Sequence, residues 1–190
     1  MNKIETKIEG LYILEPKIFG DSRGFFMETY SRRDFETLGI TDEFVQDNHS
    51  KSARGVLRGL HFQRQQAQGK LVRVIAGSVL DVAVDLRVGS PTFGEWEAVV
   101  LSAENKRQFY IPPQFAHGFL TLEDHTEFVY KCTSYYHPQS DGGIRWNDPL
   151  VGIDWQLDQF GLDADSLLLS TKDQQLPFLV DLDNNNIFQP

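Results

Sequence analysis

Val79-Leu80-Asp81-Val82-Ala83-Val84-Asp85-Leu86-Arg87 alternates without a break, with Leu80, Val82, Val84 and Leu86 on one face and Asp81 and Asp85 on the other. Successive side chains of a strand point to opposite sides, so a period of two argues for β-structure over an amphipathic helix. Gly77-Ser78 ahead of it marks a turn, and Leu71 to Ala76 is short, apolar and rich in β-branched residues, a second strand. Glu95 to Leu101, Gln108 to Ile111, Gly118 to Leu122 and Glu127 to Thr133 continue the series, separated by clusters such as Val88-Gly89-Ser90-Pro91 and Ser102-Ala103-Glu104-Asn105. Helix signals are few. Ser31-Arg32-Arg33-Asp34 reads as a capping box with Phe35 and Leu38 behind it and Gly39 as a stop, and Ser170-Thr171-Lys172-Asp173 opens a short helix that Pro177 limits. Many short strands at this spacing predict a mainly all-β chain, an antiparallel jelly-roll barrel with a few short peripheral helices.

The bulk numbers narrow the function classes. At 190 residues the chain fits one domain, with a tail from Asp181 to Pro190 that reads as loosely ordered. Its net charge of −9 disfavours nucleic acid, whose phosphates need clustered cations, but leaves room for a small anion held by a few converging arginines. Cys132 is the only cysteine, which excludes an internal disulfide and points to a reducing, cytoplasmic setting. No run of signal-peptide or membrane-span length is present, so neither nucleic acid nor membrane is expected as a partner.

The chemistry concentrates in Gly55-Val56-Leu57-Arg58-Gly59-Leu60-His61-Phe62-Gln63 and Gly69-Lys70-Leu71-Val72-Arg73-Val74, which read together as a hairpin of the barrel. The spacing from Gly55 through His61, Gln63 and Lys70 to Gly77 looks like the first motif of the cupin barrels, and Pro112 to His117 is part of the second. Where cupins place four metal ligands, this chain keeps His61 and His117 and carries Gln63 and Lys70 in place of the others. An ammonium has no lone pair to give and repels a dication, so no metal is expected. Taken singly, each residue also has a structural reading. His61 fits a hydrogen-bonded core histidine, Lys70 a loop-edge lysine, Tyr130 a core tyrosine alternating with Phe128 and Cys132, and Asp173 the third residue of a capping box. Arg58 and His61 lie an odd number of residues apart, so in a regular strand they face opposite ways. For both to reach one ligand, Gly59 has to mark a bulge or a second subunit has to contribute.

With these residues assembled, the chain resembles the dTDP-4-dehydrorhamnose 3,5-epimerase family from about Leu14 to about Leu179. Six collinear blocks carry the resemblance: Phe19-Gly20-Asp21-Ser22-Arg23-Gly24-Phe25-Phe26, Val45-Gln46-Asp47-Asn48-His49-Ser50, Val56 to Gln63, Gln68 to Arg73, Ile111 to Phe119, and Ile144-Arg145-Trp146-Asn147-Asp148-Pro149. The resemblance implies proton abstraction and return at C3 and C5 of a dTDP-linked 4-keto-6-deoxyhexose, with the ketone as electron sink and no cofactor. It implies His61 as base, Asp173 as the carboxylate behind it, Lys70 at the enolate oxygen and Tyr130 as the acid on the other ring face. Arg23, Arg58 and Lys172 are implied as anion contacts. Glu28, Gln46, Asp47, Asn48, His117, Tyr135 and Asp141 are implied as further substrate contacts. A homodimer is implied too, with N-terminal segments reaching the neighbour's site. Asp141 stands where many relatives have Glu. A C3-only or C5-only epimerase, a 3,4-ketoisomerase and a non-catalytic sugar-nucleotide barrel are the competing readings.

Overall fold

A computed structural model describes residues 1–182 and 187–188 of the chain. Thirteen strands run in order: β1 (Asn2–Glu5), β2 (Tyr12–Glu15), β3 (Ile18–Asp21), β4 (Gly24–Met27), β5 (Gln46–Ser52), β6 (Leu57–Gln63), β7 (Lys70–Ala76), β8 (Ser78–Asp85), β9 (Trp96–Ser102), β10 (Gln108–Ile111), β11 (Phe115–Thr121), β12 (Thr126–Cys132) and β13 (Asp141–Gly143). Two short helices accompany them, α1 (Arg32–Thr37) and α2 (Thr171–Gln174). The order β1-β2-β10-β7-β12-β5 forms one antiparallel sheet and β13-β6-β11-β8-β9 the other, while β3 and β4 make a separate ribbon. This is the jelly-roll, cupin-like architecture that the strand spacing predicts. Among the described residues no helix is long and apolar enough to cross a membrane.

The expected hairpin between β6 and β7 is corrected: the two strands belong to opposite sheets, and residues 64–69 carry the chain across the barrel. Apolar content and spacing are the same for a hairpin and for a crossover of this length. The difference lies in long-range partners, β11 for β6 and β12 with β10 for β7. His61 and Lys70 therefore stand on facing walls of one interior.

Strand β8 is buried on both faces. Its strictly apolar face, Leu80, Val82 and Val84, looks outward into a cluster with Ile144, Trp155 and Leu179 of the C-terminal segment. Its other face lies in the barrel interior, where Val79 and Ala83 join Val99, Phe119 and Phe128. Asp81 and Asp85 of that face have no exposed surface. Asp85 is satisfied within its own turn by Arg87, Ser90 and Thr92.

Helix α1 forms where expected, with Phe35 buried and Gly39 at φ +83, but Ser31 makes no side-chain cap bond. The expectation of a loosely ordered tail falls largely on residues that the structure does not describe. Residues 183–186 and 189–190 lie outside the described ones, whereas Ile187 is buried and Phe188 rests against the Phe62 ring.

The register of β6 against β11 slips by one residue: His61 pairs with His117, and Arg58 pairs with Phe119. Three positions on β6 thus span two on β11, which is a bulge at Gly59. Gly59 has φ +117, and a Cβ placed on it would stand 2.6 Å from the Gly118 Cα and 2.8 Å from the His117 carbonyl oxygen. Gly59→Ala is predicted to destabilise the fold by about 2–4 kcal/mol, because overpacking and a disfavoured φ add at one site. Denaturant unfolding measures it, and a loss below about 0.5 kcal/mol, as at an ordinary surface position, would show that the two strands do not need this approach.

Candidate functional site

The bulge returns Arg58 to the face of β6 that carries His61, and both line a cavity of about 380 Å3. Lys70 of β7 and Tyr130 of β12 enter it from the opposite sheet. His117 of β11 stands beside His61, and Asp173 closes the wall behind it. All four expected catalytic residues meet here, with Arg58, His117 and Lys172. Phe119 and Phe128, stacked 4.2 Å apart, supply an apolar surface. A volume in this range suits a sugar-sized ligand.

His61 Nε2 lies 2.5 Å from Asp173 Oδ1 although 112 residues separate them. The second capping-box pattern explains how. Helix α2 starts where predicted, and Ser170 Oγ accepts the Asp173 backbone N–H at 3.1 Å. The carboxylate is thus left to point across at His61. Burial by itself raises the Asp173 carboxyl, but hydrogen bonds from His61 and Ser170 and the charges of His61 and Lys172 outweigh it and hold the carboxyl below its ordinary value. With Nε2–H directed at an ionised carboxylate, Nδ1 of His61 is left as the basic nitrogen.

Lys70 is buried, and among the described residues its ammonium has no carboxylate in contact. Burial pushes it below the usual lysine range, against the raising influence of Cys132, Asp81 and Asp141. Burial also raises the Tyr130 phenol, with Arg58 acting in the other direction. His117 Nε2 lies 3.0 Å from both oxygens of Asp81, a residue absent from the sequence-based site. Burial lowers the His117 imidazole and raises the Asp81 carboxyl, and their mutual attraction opposes both. The signal in the sequence was an aspartate amid the apolar residues of β8, a charge that needs a partner once that strand is central.

Arg58 is anchored through Nε and Nη2 to Ser52 Oγ at 3.3 and 3.2 Å, and no carboxylate among the described residues pairs with it. Lys172 sits at the mouth, ion-paired with Asp141, which also accepts the Tyr136 hydroxyl at 3.1 Å. Tyr136, not Tyr135, therefore faces a side recess shared with His61, Lys70 and Tyr130. Tyr135 is 65% exposed, and its carbonyl accepts from Gln63. Gln63, once a candidate beside His61, braces that loop through hydrogen bonds with Tyr135 and His137 and holds the crossover through a third to the Gln66 carbonyl.

Other candidates lie apart. Gln46 and Asn48 share the inner face of β5 and bond each other at 3.0 Å, with Asn48 donating to Cys132. The Asp47 side chain points the other way, paired with Lys131 at 2.9 Å, so its carboxylate does not reach this cavity. Arg23 sits at the tip of the β3–β4 ribbon, 88% exposed and paired with Asp21, and Glu28 is exposed at the ribbon's base. Neither is brought to the cavity of its own chain.

Known proteins resemble this chain over nearly its whole length. The family model described as dTDP-4-dehydrorhamnose 3,5-epimerase matches residues 5–181. The dTDP-4-dehydrorhamnose 3,5-epimerase of Salmonella typhimurium is 57% identical over 178 residues, 93% of this chain and 94% of the relative. That of Methanothermobacter thermautotrophicus is 55% identical over 171 residues, 90% of each chain. The crystal structure of dTDP-6-deoxy-D-glucose-3,5-epimerase from Legionella pneumophila, in complex with dTDP-4-keto-L-rhamnose, superposes with a TM-score of 0.92 at 54% identity, covering 100% of this chain and 98% of that one.

The depressed Asp173 carboxyl has a consequence for stability. A group whose pKa falls on folding contributes stability that is complete above its unfolded value and is lost as pH drops through the folded value. Asp173→Asn should therefore lower stability by a constant amount near neutrality. The gap from wild type should close as pH falls below about 4, the unfolded aspartate value. Denaturant titrations of both proteins across that window test it, and a gap independent of pH would refute the assignment.

Proposed function

The chain belongs to the dTDP-4-dehydrorhamnose 3,5-epimerase family, and we propose that the residues converging on the cavity divide its reaction among them. The enzyme is an isomerase that epimerises dTDP-4-dehydro-6-deoxy-D-glucose at C3 and C5 to dTDP-4-dehydro-L-rhamnose, in dTDP-L-rhamnose biosynthesis. One observation supports the division of labour best. The His61–Asp173 pair stands on one sheet's side of the cavity, and Lys70 and Tyr130 stand on the other.

Both reacting carbons flank the C4 ketone. His61 Nδ1 takes the proton from carbon, and the bonding electrons move to the C4 oxygen as an enolate. Asp173 keeps the imidazole oriented and stabilises the imidazolium that forms, a contribution of the general acid–base kind worth about 10²–10⁴-fold. Lys70 directs its ammonium at the enolate oxygen, in a setting dry enough that the charge is poorly screened. The Tyr130 hydroxyl then gives its proton to the same carbon from the opposite face, inverting it. A sugar ring between two facing sheets meets base and acid on different faces, which is the geometric requirement of inversion. Arg58 and Lys172 meet the diphosphate. Lys172 leaves or shares Asp141 as it does so.

The ribbon β3–β4 completes the site in a homodimer. Phe19, Phe25 and Phe26 on it are more than half exposed, at 54%, 59% and 70%, which is an apolar surface that a second subunit would cover. Arg23 and Glu28 then reach the nucleotide bound by the neighbouring chain.

Incubation with dTDP-4-keto-6-deoxyglucose in D2O should place deuterium at both C3 and C5 by NMR, and absence of exchange would overturn the catalytic assignment. His61→Asn should retain nucleotide-sugar binding and lose exchange at both carbons. Lys70→Met should lower kcat about 10²–10³-fold, as loss of an oxyanion donor does. Mixing Arg23→Ala with His61→Asn subunits tests the dimer. Mixed dimers should regain about half the activity per dimer, since one site then has both residues intact. No recovery despite subunit exchange would place Arg23 in its own chain's site.

A further inference from the structure

The cavity holds a second histidine–carboxylate pair that the division of labour above leaves without a task. His117 and Asp81 lie on adjacent strands of the same sheet, paired in register with Ala83 and Phe119 on either side. They sit next to the His61–Asp173 pair, because His61 is the register partner of His117 on its other flank. The two pairs differ in exposure: the His61 side chain is 32% exposed and that of His117 only 7%, with Asp81 fully buried.

The geometry of the inner pair points to the nitrogen that holds the proton. Asp81 Oδ1 and Oδ2 are both 3.0 Å from His117 Nε2. A single N–H shared evenly by two oxygens is the arrangement of an ionised carboxylate accepting from the ring. A protonated carboxyl would instead approach through one oxygen. Lys70, buried within reach of the same charges, compensates the carboxylate. The other ring nitrogen, Nδ1, has no hydrogen-bond partner among the described residues, yet it is not sealed: Thr121 Oγ1 is the one fully buried side-chain polar atom there without a partner. His117 lines the cavity, and with Nε2 turned to Asp81 the ring nitrogen left for a ligand there is Nδ1.

A neutral imidazole with its proton on Nε2 can only accept at Nδ1. It cannot donate to a ketone oxygen, and its lone pair would repel a developing enolate. We infer that Asp81 is a positioning residue that holds His117 as the Nε2–H tautomer, so that Nδ1 accepts a hydrogen bond from a sugar hydroxyl while Lys70 alone donates to the C4 oxygen. The inference rests on the proposed reading of the cavity for its substrate, and on the Asp81 geometry for its tautomer. The two histidines then have opposite duties built from the same pair chemistry. His61, the exposed one, moves protons. His117, the buried one, holds a fixed polarity and reads a donor on the ring. A substrate lacking that hydroxyl leaves a buried acceptor unpaired, which is how a polar site discriminates strongly.

The test is the tautomer itself, read by long-range 1H–15N NMR on the uniformly 15N-labelled, substrate-free enzyme, with His117→Gln used to assign the resonance. The expected spectrum shows His117 neutral, with Nε2 protonated and Nδ1 not. An Nδ1–H tautomer or a doubly protonated ring would overturn the inference, and the wild-type spectrum decides this even if no variant folds. Asp81→Asn offers an amide that can present its N–H to Nε2, so the proton should move to Nδ1. With the lone pair gone, kcat/KM should fall about 10–100-fold, by analogy with loss of the carboxylate behind a metal-bound histidine, with most of the loss in KM. A lowered melting temperature with tautomer and kinetics unchanged would reduce Asp81 to a structural role and also overturn the inference. Failure of deuterium exchange in the wild-type enzyme would instead strike the proposed function, leaving the tautomer result to stand separately.

Discussion

The contact between the Gly59 and Gly118 backbones organises this site. Two strands approach so closely there that neither residue tolerates a Cβ: one on Gly118 would lie 2.6 Å from the Arg58 carbonyl oxygen. The approach forces the one-residue slip between β6 and β11, and the slip restores Arg58 to the inner face. Without it, Arg58 would project into the outer cluster where Leu57 and Leu60 pack. A charge there would lack a partner and carry a desolvation cost of several kcal/mol. The same slip puts His61 level with His117, so both histidine pairs share one wall.

The second dependence runs through the C-terminal segment, which has little regular structure and yet delivers Asp173. Its outer attachment is apolar, with Val151, Trp155, Leu162 and Leu167 packed on the apolar face of the five-stranded sheet. Its inner attachment is polar. The buried Asp148 carboxylate accepts the backbone N–H groups of Leu150, Val151 and Leu179, tying the start of the segment to its end. Leu60 and Ile144 exchange backbone hydrogen bonds at 3.0 and 3.2 Å, and Gly143 lies against that pair with no room for a side chain. Helix α2 is only one turn long, so its position comes from these attachments and not from intrinsic helical stability.

Much of this was legible along the chain. The period of two in β8, the turn before it and the strand series after it gave an all-β jelly roll, and the Ser170 cap gave α2 within a residue. Facing within strands was legible as well: Phe128, Tyr130 and Cys132 do share a face, and it is the inner one. The family resemblance named the four residues that the cavity assembles. Strands β1–β5 and β13 were not read, and three further things were not legible. The crossover of residues 64–69 looked like a hairpin, because loop length and polarity do not reveal which sheet the next strand joins. Asp81 passed as the polar face of an amphipathic strand, because a solvent-facing and a barrel-facing aspartate have the same sequence pattern. Tyr136 was hidden beside Tyr135, since in an irregular loop adjacent residues have no period to separate them.

Alternation, turn residues and caps act over a few residues, so the sequence by itself determined strands β6 to β12, the two short helices and the chemical types available to the site, but not β1–β5 or β13. Only the tertiary structure decided which of those groups meet. His61 and Asp173, at 2.5 Å and 112 residues apart, are joined by β-pairing and by packing of the C-terminal segment. Those are non-local terms that no window of sequence contains. Burial was decided at the same level: Lys70, Asp81 and His117 are ordinary polar residues along the chain, and become a dry, charge-balanced interior only when two sheets close over them.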